Sequence, residues 1–437
     1  MGRGYALLME MGCGKSITAV AISGRAYLNG LIKKLLVIAP KSIVTVWEEE
    51  FSKFADFSYS LTVLKGSSEK KKGQLKQIKK RGLQVAVINY DSTALIEKDL
   101  MQWKPDFIVA DESTRIKNPN AKTSKSIHKI SKTCKYRMIL TGSPITQNLL
   151  DLYSQYKMLD QSIFGTSFYA FKNYYAVLGD YNQPVGYRNL PELIEKTHSI
   201  AYRITKEEAL DLPKTIDETH GIVLESKAQK LYKQFAKDSY MELSKGDVTA
   251  ANILTKLLRL QQITGGFIKA DEETQRYEQI SKAKIEALSD IVETAIQAGE
   301  KLVIMARFIP EIKEICKLIK KKKIKYSMIC GEVKDRAGEI QRFQEDNECK
   351  IFVGQLQTTS MGITLTAAST CVFYSLSYNY ADYIQAKARI HRIGQTKPCL
   401  YIHLVAKGTV DEAVIEALGK KEDIAKSIVD NWKRIIK

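Results

Sequence analysis

This 437-residue sequence has few of the residues that staple small secreted or metal-bound proteins together. Its seven cysteines (13, 134, 316, 330, 349, 371, 399) are odd in number, scattered, and never form a C-x-x-C pair. That argues against a disulfide scaffold and a zinc site, and fits reduced thiols in a cytosol. The five histidines are isolated and add no metal-ligand spacing. No apolar run approaches the length of a membrane span, and the first residues lack the profile of a signal peptide. Acidic residues are in deficit: 49 Asp and Glu against 67 Lys and Arg leave a net charge of +18. Such an excess points to a polyanionic partner, most commonly nucleic acid, with solubility as the plain alternative. Two basic clusters have ordinary readings. Lys320–Lys323 follows a helix-like stretch and complements its C-terminal dipole, and Lys70–Lys72 reads as a solvated loop.

A hydrophobic content of 44% with 27% charged residues is that of a globular chain long enough for two or three domains. Its organising stretch is Tyr5–Ser16, YALLMEMGCGKS. A short apolar run leads into a glycine turn, then Lys15 and Ser16, and then apolar residues at helical spacing (Ile17, Val20, Ala21, Tyr27, Leu28). Strand, turn and helix of this kind cradle phosphate. Backbone N–H groups around Gly12, Cys13, Gly14 and Lys15 meet an anion at a helix N-terminus, Lys15 reaches the terminal phosphates, and the Ser16 hydroxyl holds Mg²⁺. Met9 stands where the strict motif has glycine.

Residues 1–160 alternate strand-like runs (Ala6–Met9, Leu35–Ala39, Val85–Asn89, Phe107–Ala110, Arg137–Thr141) with helical patterns. That alternation specifies a parallel sheet with ligands at the carboxyl ends of its strands. There lie Lys15, Pro40-Lys41-Ser42, Asp111-Glu112 and Thr141-Gly142-Ser143. Phosphoryl transfer needs one carboxylate on Mg²⁺ and another on the attacking water; Asp111 is assigned to the metal and Glu112 to the water. An acidic helix cap is the plain alternative. Residues 161–280 read as a mostly helical insert or linker, rich in Tyr and Phe, whose rings fit a small core better than base stacking. Capping boxes are expected at Thr205-x-x-Glu208, Ser226-x-x-Gln229 and Thr409-x-x-Glu412. Across residues 281–437 the alternation resumes (Leu302–Ala306, Tyr326–Cys330, Ile351–Val353, Val372–Leu376, Leu400–Leu404) without a second Gly-Lys-Ser. Here Arg389 and Arg392 are expected on one face of a helix, able to clamp a γ-phosphate as arginine fingers do.

In order, MEMGCGKS, VIAPKSIVTVW, DESTRIKNP, ILTGSPI, LVIMARF, TTSMGITLTAA and QAKARIHRIGQ resemble the helicase motifs of superfamily 2. The likeness is greatest to SWI/SNF-type DNA-dependent ATPases of the small phage or bacterial type, from Tyr5 to Leu418. The resemblance implies an α/β fold of two RecA-like P-loop NTPase lobes, parallel sheets with flanking helices, plus the helical insert. It implies ATP and Mg²⁺ as cofactors, with ATP between the lobes. It carries Gly12, Gly14, Lys15 and Ser16 to ATP binding, Thr141, Gly142 and Ser143 to coupling, and Gly362 and Gln385 to nucleotide sensing. Arg389 and Arg392 fall in the last motif, with Arg392 the chosen finger; Lys41, Ser42, Arg307, Thr358 and Thr359 fall where such proteins face the nucleic-acid backbone. It further implies an ATP-driven translocase on double-stranded DNA without sequence specificity, working in a bacterial or phage-infected cytosol with no membrane partner. A strand-separating DNA or RNA helicase is the alternative enzyme. A basic nucleic-acid-binding module with a vestigial ATP site is the alternative of another class. Ser113 and Thr114 depart from the usual Asp-Glu-x-His. The adenine-reading glutamine segment of such proteins lies upstream of the first strand, so it is expected to be missing from this sequence.

Overall fold

A computed structural model describes residues 4–179, 182–244, 250–269, 277–333, 335–359 and 363–425. The chain divides into two compact units, one of residues up to Asp211 together with Lys421 onward, the other Leu212–Lys420. Each is built on its own parallel sheet.

In the first unit the strands are β1 (Gly4–Met9), β2 (Lys34–Ala39), β3 (Tyr59–Val63), β4 (Leu83–Asn89), β5 (Phe107–Asp111) and β6 (Tyr136–Leu140). An antiparallel hairpin follows, β7 (Ala176–Leu178) with β8 (Pro184–Tyr187), and then β9 (Ala201–Ile204). The main sheet runs β3-β4-β2-β5-β6-β1-β9, parallel throughout. Its strands are apolar on both faces because helices cover both. Ala6, Leu8, Leu36, Ile38, Ile108 and Ala110 turn to one core, shared with Ile127, Ile130, Leu152 and Tyr156 of the helices Lys122–Thr133 and Asp151–Leu159. Leu7, Met9, Leu35, Val37 and Val109 turn to the other, against Val20 of the helix Lys15–Leu28 and Trp47 and Phe51 of the helix Val46–Phe54.

The second unit contains β10 (Thr215–Ile222), the small antiparallel pair β11 (Phe267–Lys269) and β12 (Tyr277–Gln279), β13 (Leu302–Ala306), β14 (Lys325–Ile329), β15 (Cys349–Gln355), β16 (Thr370–Phe373) and β17 (Cys399–Ala406). Its sheet runs β10-β17-β16-β13-β15-β14, again all parallel. The helices Ala283–Gln297 and Ile309–Lys321 pack Leu288, Val292, Ile312, Ile315 and Ile319 on Leu302, Ile304, Ile351 and Val353.

Several local expectations change. Residues 161–280 are shared by both units rather than forming one helical segment, and they supply an edge strand to each sheet. Phe164, Phe171 and Tyr175 join Tyr153 and Tyr156 in the first unit's core, with ring centroids about 5 Å apart. Tyr181 lies outside the described residues. Lys70–Lys72 is no loop: it lies in the helix Ser68–Lys76, capped by Ser67, with Lys71 buried and its ammonium on the Gly66 carbonyl. The Thr205/Glu208 capping box forms reciprocally. Lys320 and Lys321 occupy the last turn of the helix Ile309–Lys321.

Candidate functional site

At the carboxyl end of β1 the chain turns through Gly12 (φ 89°) and Gly14 (φ 87°), left-handed conformations that side chains resist, and enters its first helix at Lys15. That helix has no side-chain cap and no acidic residue in its first turn, so its leading N–H groups and dipole are left to an external anion. Lys15 Nζ folds back to the carbonyls of Met9 (3.0 Å) and Glu10 (3.3 Å). Those weak acceptors are ones that phosphate oxygens would readily replace. Ser16 is half-buried beside Lys15 at the helix start. The Cys13 N–H donates to the Glu10 carbonyl (3.2 Å), so its backbone braces the turn; burial, then Glu10, raises its thiol pKa.

Asp111 ends β5 and is buried, its carboxylate accepting from Trp47 Nε1 at 3.1 Å while Tyr90 Oη donates to its backbone carbonyl at 2.7 Å. Burial, then the neighbouring Glu112, raises the Asp111 pKa, and Lys15 opposes the shift. A carboxylate desolvated this strongly favours a bound cation, and a magnesium ion held by one or two carboxylates plus substrate phosphates suits it. Among the described residues no group of three or more His, Cys, Asp or Glu could hold a metal. Glu112 takes a left-handed backbone (φ 52°), a conformation that costs a non-glycine residue about 1–3 kcal/mol. It stands at the N-cap position of the short turn Ser113–Ile116, but its side chain makes no capping bond.

Thr141, Gly142 and Ser143 lie against the phosphate loop. The Thr141 N–H bonds the Leu7 carbonyl at 3.1 Å, and a Cβ on Gly142 would lie 3.3 Å from Met11 N and Met9 O. Arg203 joins these pieces: its Nη1 bonds the carbonyls of Leu8 and Gly142, both at 3.1 Å, and its Nη2 pairs with Glu10 at 3.0 Å. On the other side Ser113 Oγ donates to Gln155 (2.7 Å), whose amide donates to the carbonyls of Pro144 (2.7 Å) and Asp151 (2.8 Å). The end of β5 and the segment after β6 are thereby tied through buried side chains. Lys41 and Ser42 are exposed in the turn after β2.

In the second unit, Arg389 and Arg392 do not share a helix face. The helix Tyr380–Lys387 ends before them, and they sit in the turns that follow. Both still point one way, giving Nη1 to the Ile363 carbonyl at 3.1 and 3.3 Å. Arg389 is only 1% exposed. Arg392 is half-buried, and burial lowers its pKa. Gln385 is half-buried on the preceding helix. Around them, Lys387 forms a two-pronged ion pair with Asp217 of β10 (2.7 and 2.8 Å), and His391 Nε2 meets the Pro213 carbonyl at 2.9 Å. Gln395 bonds the carbonyls of Ala368 (2.8 Å) and Ile390 (3.1 Å). Arg307 lies over the Phe308 ring and donates to Gln261. Thr358 donates to Gln355 at 3.1 Å, Thr359 ends the short helix Leu356–Thr359, and Gly362 lies outside the described residues.

The SNF2-related domain matches residues 1–265, and the helicase conserved C-terminal domain matches 283–394. The chain belongs to the SNF2-related family. It is 28% identical over 429 residues to an uncharacterized ATP-dependent helicase of Mycoplasma genitalium, covering 97% of this chain and 40% of that protein. It is 25% identical to a DNA repair and recombination protein RAD54-like of Drosophila persimilis, covering 97% and 60%. Among solved structures, the Sulfolobus solfataricus SWI2/SNF2 ATPase core in complex with dsDNA shows 27% identity and a TM-score of 0.44, covering 98% and 89%. The chain spans about two fifths of the length of the Mycoplasma relatives it matches.

Within this SNF2-related chain, several residues that brace the candidate site were not indicated by the sequence. Arg203, Gln155, Trp47 and Tyr90 come from four separate segments, and no local spacing links them.

Proposed function

We propose that the chain is the ATP-driven motor core of a double-stranded DNA translocase, hydrolysing ATP in response to duplex and moving along it without separating the strands. The observation that carries the reading is the uncapped helix at Lys15, beside the buried Asp111 and the strained Glu112. Lys15, Ser16 and the turn of Gly12 and Gly14 would hold the triphosphate, and Ser16 and Asp111 would hold Mg²⁺. The ion neutralises phosphate charge when bound. Glu112 orients the attacking water. Thr141, Gly142 and Ser143, in contact with the phosphate loop, pass its state to the rest of the first unit. Arg392 supplies positive charge to the transferring phosphoryl group, and Arg389 holds the segment that carries it.

Lys41, Ser42, Arg307, Thr358 and Thr359 are assigned to backbone phosphates, together with the overall +18 charge. Contacts of that kind give little sequence specificity and a steep salt dependence. Support for DNA comes from the DNA repair and chromatin names that several relatives carry. Seven free thiols suit a reducing cytosol.

ATP turnover measured without nucleic acid and with duplex DNA, single-stranded DNA or RNA tests the reading, alongside strand release from forked duplexes. Stimulation by blunt duplex without strand release is expected. Strand release would make it an unwinding helicase, and no turnover under any condition would leave a binding module.

A further inference from the structure

The first unit holds a cavity with a cationic lining at the start of another helix. The helix Lys122–Thr133 begins with no side-chain cap, its N-cap being Ala121, and with no acidic residue in its first turn. Beside it is a cavity of about 330 Å³ whose polar lining is Asn120, Lys122, Lys125, Ser126, Lys129 and Glu97. Glu97, the one carboxylate in that lining, is paired with Lys129 at 3.1 Å, so Lys122 and Lys125 set the local charge. Both are exposed at their positions on the helix.

The second observation is Ser126. It is 2% exposed, it lines the cavity, and its hydroxyl has no hydrogen-bond partner. A serine inside a helix ordinarily satisfies itself on a carbonyl one turn back, and a buried hydroxyl left without a partner is costly. A donor withheld from the protein at the wall of a cationic cavity has the chemistry of an oxyanion contact.

We propose that Asn120, Lys122, Lys125 and Ser126, with the start of their helix, form a second phosphate-binding site. Its ligand chemistry is a tetrahedral phosphate oxyanion, and its source is the backbone of the nucleic acid the motor travels on. The choice of source rests on the DNA reading above; the oxyanion site itself does not.

Two titrations of the full chain test this. In the first, pyrophosphate is titrated calorimetrically into Lys15→Ala, so that the glycine loop does not compete, and into the same chain also carrying Lys122→Ala and Lys125→Ala. Affinity should fall at least about tenfold, the size expected for losing charge-assisted hydrogen bonds. Adding Ser126→Ala alone should weaken pyrophosphate about fivefold while leaving the melting temperature unchanged or raised, since the lost hydroxyl bonds nothing in the protein. A structural serine would instead lower the melting temperature. In the second titration, duplex DNA binds wild type and Lys122→Ala/Lys125→Ala across a salt series. The slope of log affinity against log salt should shrink by about 0.9 for each lysine removed. Equal pyrophosphate affinity in all these chains overturns the site. A pyrophosphate loss with an unchanged duplex slope overturns the backbone source. If wild type binds no duplex, the DNA reading fails while the pyrophosphate titration still decides the site.

Discussion

The two units share a sheet type and treat their charged residues in opposite ways. In the first, the helix at Lys15 has no side-chain cap, Lys15 rests on two carbonyls, and Asp111 is buried with Trp47 Nε1 donating to its carboxylate. In the second, charges are spent internally. Arg389 braces Ile363, Lys284 is buried on Asp411 at 2.6 Å, and Glu311 accepts from the Arg307 and Phe308 N–H groups and from Ser375. Arg392 is half-buried where Arg389 is enclosed, and it is the cation to which the proposal gives the phosphoryl group.

The comparison breaks most visibly at Arg392. Arg392→Ala should cut ATP turnover by about 10³-fold or more, the range of arginine fingers. Arg389→Ala should instead unfold or loosen its segment, read as lost hydrogen-exchange protection around residue 363. Next in size is Glu112→Gln. If Glu112 positions water, turnover falls about 10²–10⁴-fold with nucleotide affinity kept, and unchanged turnover would move that role elsewhere.

Stability should separate the units further. Lys284→Ala leaves the half-buried Asp411 without its buried cation, and the second unit should lose up to about 3–5 kcal/mol in denaturant titration while ATP affinity stays level. The smallest effect is a pH dependence. Burial pushes the Glu311 carboxyl up to about 7. Its folded form therefore holds a proton that the unfolded chain has released by pH 7. The stabilisation is full below its ordinary pKa of about 4.5 and is lost as pH rises through about 7, by at most about 1.4 kcal/mol per pH unit. Glu311→Gln should flatten that slope for the second unit, and a slope that persists would place the titration in another group.

What the sequence made legible follows the same division. Phosphate loops and acidic strand ends are local, so Lys15, Ser16, Asp111 and Glu112 could be read from adjacent residues. The apolar strands of both sheets were equally plain. β10 was not, because TIDETHGI is exposed at seven of its eight positions and offers no apolar alternation. β9 was too short to stand out among the helical patterns around it. Arg389 and Arg392 were placed on one helix face because i, i+3 spacing looks the same on a helix and in the turns that follow one; both reach the Ile363 carbonyl, and only burial in the fold separates the enclosed Arg389 from the half-buried Arg392. Arg203 and Gln155 needed the fold itself, since they connect segments tens of residues apart in the chain.

ATP affinity measured side by side on wild type, Lys15→Ala and Arg392→Ala tests the division of roles most directly. The account expects Lys15→Ala to lose nucleotide and Arg392→Ala to bind it as wild type does while failing to turn it over. Equal loss of ATP binding in both variants, or wild-type binding by Lys15→Ala, would contradict it.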